Sequence, residues 1–190
     1  MLFKWLAPVY DLFARIAKFD HSRKLPEWLS PVQGLEVLDL AGGTGINAQT
    51  LAEAGAFVTV VDSSPAMLAR ARAKSFPARL ILSDAAQLPL PDHSMDLVLL
   101  SDAWHHFRDQ TGVVREITRV LRPGGRLYII DFDPLQKKTR FLALIERMLA
   151  EPSTFTAPEE LVALLNRAGI DGTYRYLTSN QFIYQGYYRV

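Results

Sequence analysis

The sequence predicts an α/β fold: a mostly parallel sheet, covered by helices on both faces and finished by an antiparallel hairpin. Three observations carry this. Short apolar runs alternate with helical patterns from Leu35 onward. The runs are continuously apolar, as in strands buried on both faces, not alternating as in half-exposed ones. The last two runs are separated only by the polar turn TSNQ, so they pair antiparallel.

Leu35 to Leu40 reads as the first strand. Asn47 to Ala54 reads as a helix stopped by Gly55 at its C-terminal cap. Phe57 to Asp62 is β-rich and gives strand two. Ser64 and Pro65 open the next helix, with proline tolerated in a first turn. Leu80 to Leu82 gives strand three, followed by the proline-rich loop AAQLPLPDHS. Leu97 to Leu100 gives strand four. Val113 to Leu121 is helical, and RPGG, Arg122 to Gly125, breaks it before strand five at Leu127 to Ile130. Arg140 to Ala150 places Leu142, Ile145 and Leu149 on one helical face. Thr156 and Glu159 have the spacing of a capping box for a helix through Ala168, stopped by Gly169. Tyr174 to Leu177 and Phe182 to Tyr188 are the hairpin strands. No internal repeat or linker divides the 190 residues, so one domain is expected, with an N-terminal segment 1–30, a core 35–133 and C-terminal helices and hairpin 134–190.

The bulk numbers narrow the function. A composition of 49% hydrophobic and 22% charged residues does not favour disorder. A net charge of +1 without a basic tract gives no reason to expect nucleic acid as a partner. There is no cysteine, which excludes disulfides and thiolate metal sites and is compatible with a cytoplasmic setting. The N-terminus, MLFKWLAPVYDLFARIAKF, is interrupted by Lys4, Asp11, Arg15 and Lys18, too often for a signal peptide or spanning helix. Its apolar residues recur at helical spacing. The expectation is an amphipathic helix packed on the body; the alternatives are a lid over an apolar substrate or a peripheral contact with a membrane surface.

The candidate site begins at VLDLAGGTGINA, Val37 to Ala48. Clustered glycines cost backbone entropy and need a reason, either a tight turn or a ligand against the backbone. In open parallel sheets, ligands bind beyond the carboxyl ends of the strands, where this loop lies. Gly43, Gly45 and Ala48 fit G-x-G-x-x-G/A, and Asp62 follows 19 residues after Gly43, which a dinucleotide-binding oxidoreductase also shows. Three carboxylates tilt the reading. Asp39 ends strand one, where it would repel phosphates but suits a cationic ligand. Asp62 ends strand two and can accept from a ribose diol. Asp84, with Ala85, follows strand three and can meet an adenine edge. S-adenosyl-L-methionine offers all these donors: an ammonium, a ribose diol and an adenine amine, beside a sulfonium.

With these residues the chain resembles the class I S-adenosylmethionine-dependent methyltransferases. Four blocks carry the resemblance: VLDLAGGTG, VVDSSPAML, SDAAQLPLPDHSMDLVLL and LRPGGRLYIIDF. LAGGTG and APVYDLFARI resemble the ubiquinone/menaquinone C-methyltransferases in particular. The resemblance implies a Rossmann-like, doubly wound seven-stranded sheet. It implies that Asp39, Ala41, Gly42, Gly43 and Gly45 hold the methionine end, with Ala41 where many members have the first glycine. Asp62 would bind the ribose, Ser63 and Met67 would lie beside the adenosine, Asp84 and Ala85 would meet the adenine, and Ser101 would line the methionine side. The departure is AWHHF after strand four, where quinone-methylating members usually carry an arginine-asparagine pair.

Methyl transfer from a sulfonium is an in-line displacement, so holding the reactants aligned supplies much of the catalysis. A base is needed only if the acceptor must lose a proton. In SDAWHHF, His105 and His106 titrate near neutrality and are the candidate catalytic residues, with positioning or packing as the alternative. Trp104, Phe107, Asp131 and Tyr10 are candidate acceptor contacts; a solvated loop is the other reading for Asp131 and Asp133. His21 and His93 lie far from the pair in sequence, so no metal site is expected. The expected function is methylation of a small, apolar molecule, for example a quinone precursor, leaving S-adenosyl-L-homocysteine. A nicotinamide-dependent oxidoreductase and a non-catalytic S-adenosylmethionine-binding protein remain open. Oligomeric state is not legible.

Overall fold

The computed structural model describes residues 21–148 and 153–189, with 145–148 described by backbone alone. The expected N-terminal amphipathic helix and Tyr10 lie outside the described residues, as does Leu149.

A single 3-10 turn, Ser22–Lys24, leads into the short helix α1, Leu25–Trp28. Then follow β1 Glu36–Leu40, α2 Ile46–Glu53, β2 Phe57–Asp62, α3 Pro65–Ala73, β3 Ala78–Leu82 and β4 Met95–Ser101. After a 3-10 turn at Trp104–His106 come α4 Gln110–Val120, β5 Leu121–Phe132, α5 Lys137–Met148, α6 Pro158–Arg167, β6 Ile170–Tyr176 and β7 Gln181–Tyr188. The seven strands lie in the order β3-β2-β1-β4-β5-β7-β6. β1 to β5 are parallel; β7 inserts antiparallel between β5 and β6.

Neighbouring residues in a strand face opposite sides, and here both sides are dry. Val37, Val60, Leu97, Leu99 and Ile130 pack with α1, α2 and Leu68 of α3. Leu38, Leu40, Val98, Leu100, Ile129 and Phe182 pack with Val113 and Ile117 of α4 and Leu161 and Leu165 of α6. That double burial explains the uninterrupted apolar runs. β1 pairs with β2 on one edge and β4 on the other, so its carboxyl end is the topological switch point.

Two local expectations are corrected. RPGG does not separate helix from strand. β5 already starts at Leu121, opposite Met95, and the register then jumps to Leu97 opposite Arg126. The four residues form a bulge, with Gly124 at φ +77° and Arg122 paired to Asp96 at 2.5 Å. The capping box at Thr156 is one residue out of register. Ala157 occupies the N-cap without a side-chain bond, while Thr156 Oγ1 accepts from Trp104 Nε1 at 3.1 Å and Glu159 accepts from the Tyr174 hydroxyl. Tertiary partners outcompeted the local cap.

Candidate functional site

The loop after β1 is shaped by its aspartate. Asp39 is 1% exposed. A Cβ on Gly42 would lie 2.6 Å from Asp39 Oδ2 and 2.9 Å from Val60 Cγ1, so this glycine makes room for the carboxylate. Ala41, Gly43 and Gly45 all have positive φ, at +56°, +55° and +73°. At Gly45 a Cβ would also strike the Phe76 ring at 2.7 Å. A tight turn and a buried carboxylate therefore both require the glycines.

Asp62, at the end of β2, is the brace of the loop. Its Oδ2 accepts from the Gly43 amide at 2.8 Å and its Oδ1 from the Ser64 amide at 2.7 Å. Ser64 in turn caps α3 by accepting from the Met67 amide at 3.4 Å. Burial raises the Asp62 pKa, while the Ser64 and Gly43 amides pull it back. Asp39 lacks such partners: neither carboxylate oxygen has a hydrogen bond among the described residues. Burial, then the nearby Asp62, push its carboxyl up to about 7; the Ala48 backbone N–H faces it and only partly offsets this.

Two adjoining compartments open above this loop. The larger, about 400 Å³, is lined by Ala41, Asp62, Ser63, Asp84, Ala85, Gln87, His106 and Phe107 among others. The smaller, about 170 Å³, is lined by Ala41, Gly43, Asp62, Ser63, Met67, Ser101, Asp102, His106 and Phe107 among others. Asp84 Oδ1 accepts from the Ala86 amide at 2.8 Å, which shapes the wall after β3. That wall is held from behind by Arg119 of α4, whose guanidinium donates to the Leu88 and Leu90 carbonyls at 2.9 and 2.7 Å and to Asp92 at 2.6 Å. Glu116 accepts from the Leu88 amide at 2.7 Å, and Arg119 beside it lowers its pKa. The sequence reading missed this clamp; E-x-x-R on one helical face was its only trace.

The sequence-derived candidates thus divide. Ala41, Gly43, Asp62, Ser63, Met67, Asp84, Ala85, Ser101, His106 and Phe107 meet around one continuous cleft. Asp39, Gly42 and Gly45 belong to the same strand end and loop but do not line the cleft. Trp104, His105 and Asp131 do not line it. Trp104 is 1% exposed and packs in the core under α4. His105 is buried: its Nδ1 lies 2.6 Å from Asp131 Oδ1, its backbone N–H donates to Asp131 Oδ2 at 3.0 Å, and its ring stacks on Phe155 at 4.4 Å. His105 thus stands outside the cleft lining, while His106 is part of it. Asp131 and Asp133 are buried, not on a solvated loop: β5 runs two residues beyond the expected end of its strand and takes in Asp131, and Asp133, just past it, accepts from the Leu135 amide at 2.9 Å and the Tyr176 hydroxyl at 2.8 Å.

Two residues were overlooked. Asp102 stands between Ser101 and Ala103 with φ +53°, and its Oδ1 accepts from Gln181 Nε2 of β7 at 2.7 Å. Gln181 Oε1 lies 2.7 Å from His21 Nε2, so His21, remote in sequence, stands two hydrogen bonds behind the cleft. Asp102 was legible as a carboxylate after a strand, the same signal that found Asp39, Asp62 and Asp84. Gln181 left no signal. Among the described residues, no three His, Asp or Glu side chains gather as a metal site, and no helix is long and apolar enough to cross a membrane.

The residues fit S-adenosylmethionine by their chemistry. An orphaned buried carboxylate, close-packed glycines and a cleft of ligand size flanked by Asp62 and Asp84 suit a ligand of cationic and hydroxyl donors, not a pyrophosphate. The class defined by sheet and cleft is an open α/β protein with its ligand site at the switch point of the sheet. Comparison with known proteins takes this further. A family described as "Methyltransferase domain" matches residues 38–129. A demethylmenaquinone methyltransferase of Thermus thermophilus is 34% identical over 208 aligned positions, covering 93% of this chain and 94% of that protein. An uncharacterized methyltransferase of Mycobacterium tuberculosis is 42% identical over 104 positions, covering 55% of this chain and 42% of its own length. Among solved structures, an S-adenosylmethionine-dependent methyltransferase of Thermotoga maritima superposes with a TM-score of 0.81 at 20% identity, covering 98% of both chains. The chain belongs to the S-adenosylmethionine-dependent methyltransferases, and S-adenosylmethionine is its cofactor.

Proposed function

We propose that this methyltransferase acts on the ring of a small aromatic acceptor of the demethylmenaquinone type. The observation that carries the acceptor is the match to the Thermus relative along nearly the whole of both chains. When bound, the cofactor supplies an electrophilic methyl group on a sulfonium. In this reading the larger compartment takes the adenosine, with Asp84 and Ala85 at the adenine edge and Asp62, Ser63 and Met67 beside the ribose. Asp62 acts there through the lone pairs its two loop amides leave over. Asp39 answers the ammonium through the glycine loop. The smaller compartment takes the reacting end, with Ser101, His106 and Phe107 as its wall and His105 as internal support. The chain is one domain, and the enzyme works in the cytoplasm.

The test is calorimetry followed by turnover. S-adenosylhomocysteine should bind with one site per chain, and NAD should give no heat. A short-chain demethylated naphthoquinol should then be methylated. Absence of S-adenosylhomocysteine binding would sink the residue assignment; binding without quinol turnover would sink the acceptor alone. A second reading, a different small apolar acceptor, is favoured by AWHHF, where quinone-methylating relatives usually carry an arginine-asparagine pair.

A further inference from the structure

We propose that Asp102 is the acceptor-facing proton acceptor of this enzyme, taking the hydroxyl proton of a bound phenol or quinol. The proposal rests on the acceptor reading above for the presence of that hydroxyl.

The first support is position. Asp102 and Asp62 are the two carboxylates of the smaller compartment, and only Asp62 also lines the larger one. Asp62 spends an interaction of each oxygen on the loop amides of Gly43 and Ser64. Asp102 lines the smaller compartment alone, not the one that Asp84 and Ala85 line, and in the reading above the smaller compartment takes the reacting end.

The second support is how it is held. Its backbone is in the left-handed region, at φ +53°, uncommon for a residue with a side chain. Its N–H donates to the Ile130 carbonyl of β5 at 2.9 Å, which fixes that conformation to the sheet. Gln181, 1% exposed, donates to Oδ1 at 2.7 Å, and Ser101 Oγ lies 3.4 Å from Oδ2. The amide of Gln181 is itself fixed by His21. A carboxylate that only filled space would not need a buried amide, a strained backbone and a sheet carbonyl to aim it.

The third support is the electrostatic setting. Asp131 and His105 stand behind Asp102, Asp62 and His106 share its compartment, and His21 lies beyond Gln181. Burial, then Asp131, push the Asp102 carboxyl up to about 7; Gln181, His105 and Ser101 pull the other way. A group poised near neutrality suits proton transfer at ordinary pH.

In the step, the acceptor O–H bond breaks, the proton passes to an Asp102 oxygen, and the electron pair stays on the acceptor oxygen, conjugated with the ring. The ring carbon thereby becomes nucleophilic. As that carbon takes the methyl group, the methyl–sulfur bond breaks and its electron pair stays on sulfur. The carbon then loses its own ring proton to solvent while the oxygen regains its proton from Asp102. One proton is thus released per methyl group, which balances the loss of the sulfonium charge. Gln181 is a positioning residue that favours the ionised carboxylate.

Two measurements separate this claim from the acceptor reading. Quinol turnover by wild type decides the acceptor. Binding of 1-naphthol to S-adenosylhomocysteine-saturated protein decides Asp102. Asp102→Asn should bind 1-naphthol at least tenfold more weakly than wild type, with S-adenosylhomocysteine affinity within twofold. Equal naphthol binding, no naphthol binding to wild type, or a matching loss of S-adenosylhomocysteine affinity overturns the proposal. With quinol turnover in hand, kcat/KM should rise tenfold per pH unit up to about pH 7, and Asp102→Asn should lose that limb. Gln181→Leu should keep the limb but move it to higher pH, since it removes a bond to the charged form. A limb that persists in Asp102→Asn but vanishes in His106→Gln overturns the assignment in favour of the histidine.

Discussion

The cleft is flanked by two pairs of acids, three of them buried and Asp102 half-buried, that were built in opposite ways. Asp39 and Asp62 end adjacent parallel strands, 23 positions apart, and are joined through the glycine loop that Asp62 braces. Asp102 directly follows β4 and Asp131 is the last residue but one of β5, and their surroundings come from distant chain: Gln181 of β7, Phe155 ahead of α6 and His21 ahead of α1. Each pair contains one carboxyl pushed up to about 7 by burial and by its neighbour. The members differ in partners. Asp39 has no hydrogen bond among the described residues, whereas Asp102 is held by an amide. The first carboxyl is left with unused acceptor oxygens; the second is held in one orientation. The lesson is that similar pKa shifts arise from opposite local designs, so geometry has to separate them.

The largest effect that breaks this comparison is one of pH. Both raised carboxyls favour the protonated form on folding. Their contribution to stability is full below about pH 4, the ordinary range of an unfolded Asp, and is lost as pH rises through about 7. In ligand-free protein, Asp39→Asn should flatten that slope by roughly 3–4 kcal/mol across the window. Denaturant titrations at pH 4, 6 and 8 read it, and an unchanged slope would show that Asp39 finds a partner in solution.

Next in size is His105→Ala. It removes the stacked ring and leaves Asp131 without its 2.6 Å partner, so unfolding should cost about 3 kcal/mol less. S-adenosylhomocysteine affinity, read where the variant keeps a wild-type near-ultraviolet spectrum, should hold. If turnover falls while stability does not, His105 touches the chemistry directly and the two regions merge. His106→Ala is the counterpart: stability should hold and KM or kcat should change.

Gly42→Ala tests the first pair directly. The added Cβ meets the Asp39 carboxylate at 2.6 Å and Val60 at 2.9 Å, so the loop must move. S-adenosylhomocysteine affinity should fall about 100-fold, equivalent to roughly 2.7 kcal/mol. Calorimetry on protein with a wild-type near-ultraviolet spectrum separates this from misfolding. The smallest effect is expected from Arg119→Met, which frees the Leu88 to Asp92 segment behind the adenine wall. It should cost about 1–2 kcal/mol of stability and only a few-fold in cofactor affinity. A larger affinity loss would mean that the wall is not preformed.

The two regions also differ in how far the sequence exposed them. Asp39, Asp62 and Asp84 were legible because each follows an apolar run, and the ends of parallel strands gather at one edge by topology alone. Asp102 obeyed the same rule but stood beside a histidine pair that drew the chemical reading away. The structure turns His105 inward to Asp131 and leaves His106 at the cleft. Thr156 was misread for a related reason, since a local cap and a tertiary bond to Trp104 compete for the same hydroxyl.

By itself, then, the sequence determined the strand sequence, the glycine loop and the cofactor chemistry, because these depend on short-range pattern: double burial of a strand, positive φ at a turn, a carboxylate at a strand end. Only the tertiary structure decided which acid, Asp102, lines the cleft and which, Asp131, is buried behind it. That choice depends on β7 entering antiparallel beside β5, which carries Gln181 to Asp102 across 79 positions of chain. No local periodicity encodes a contact of that separation; packing does.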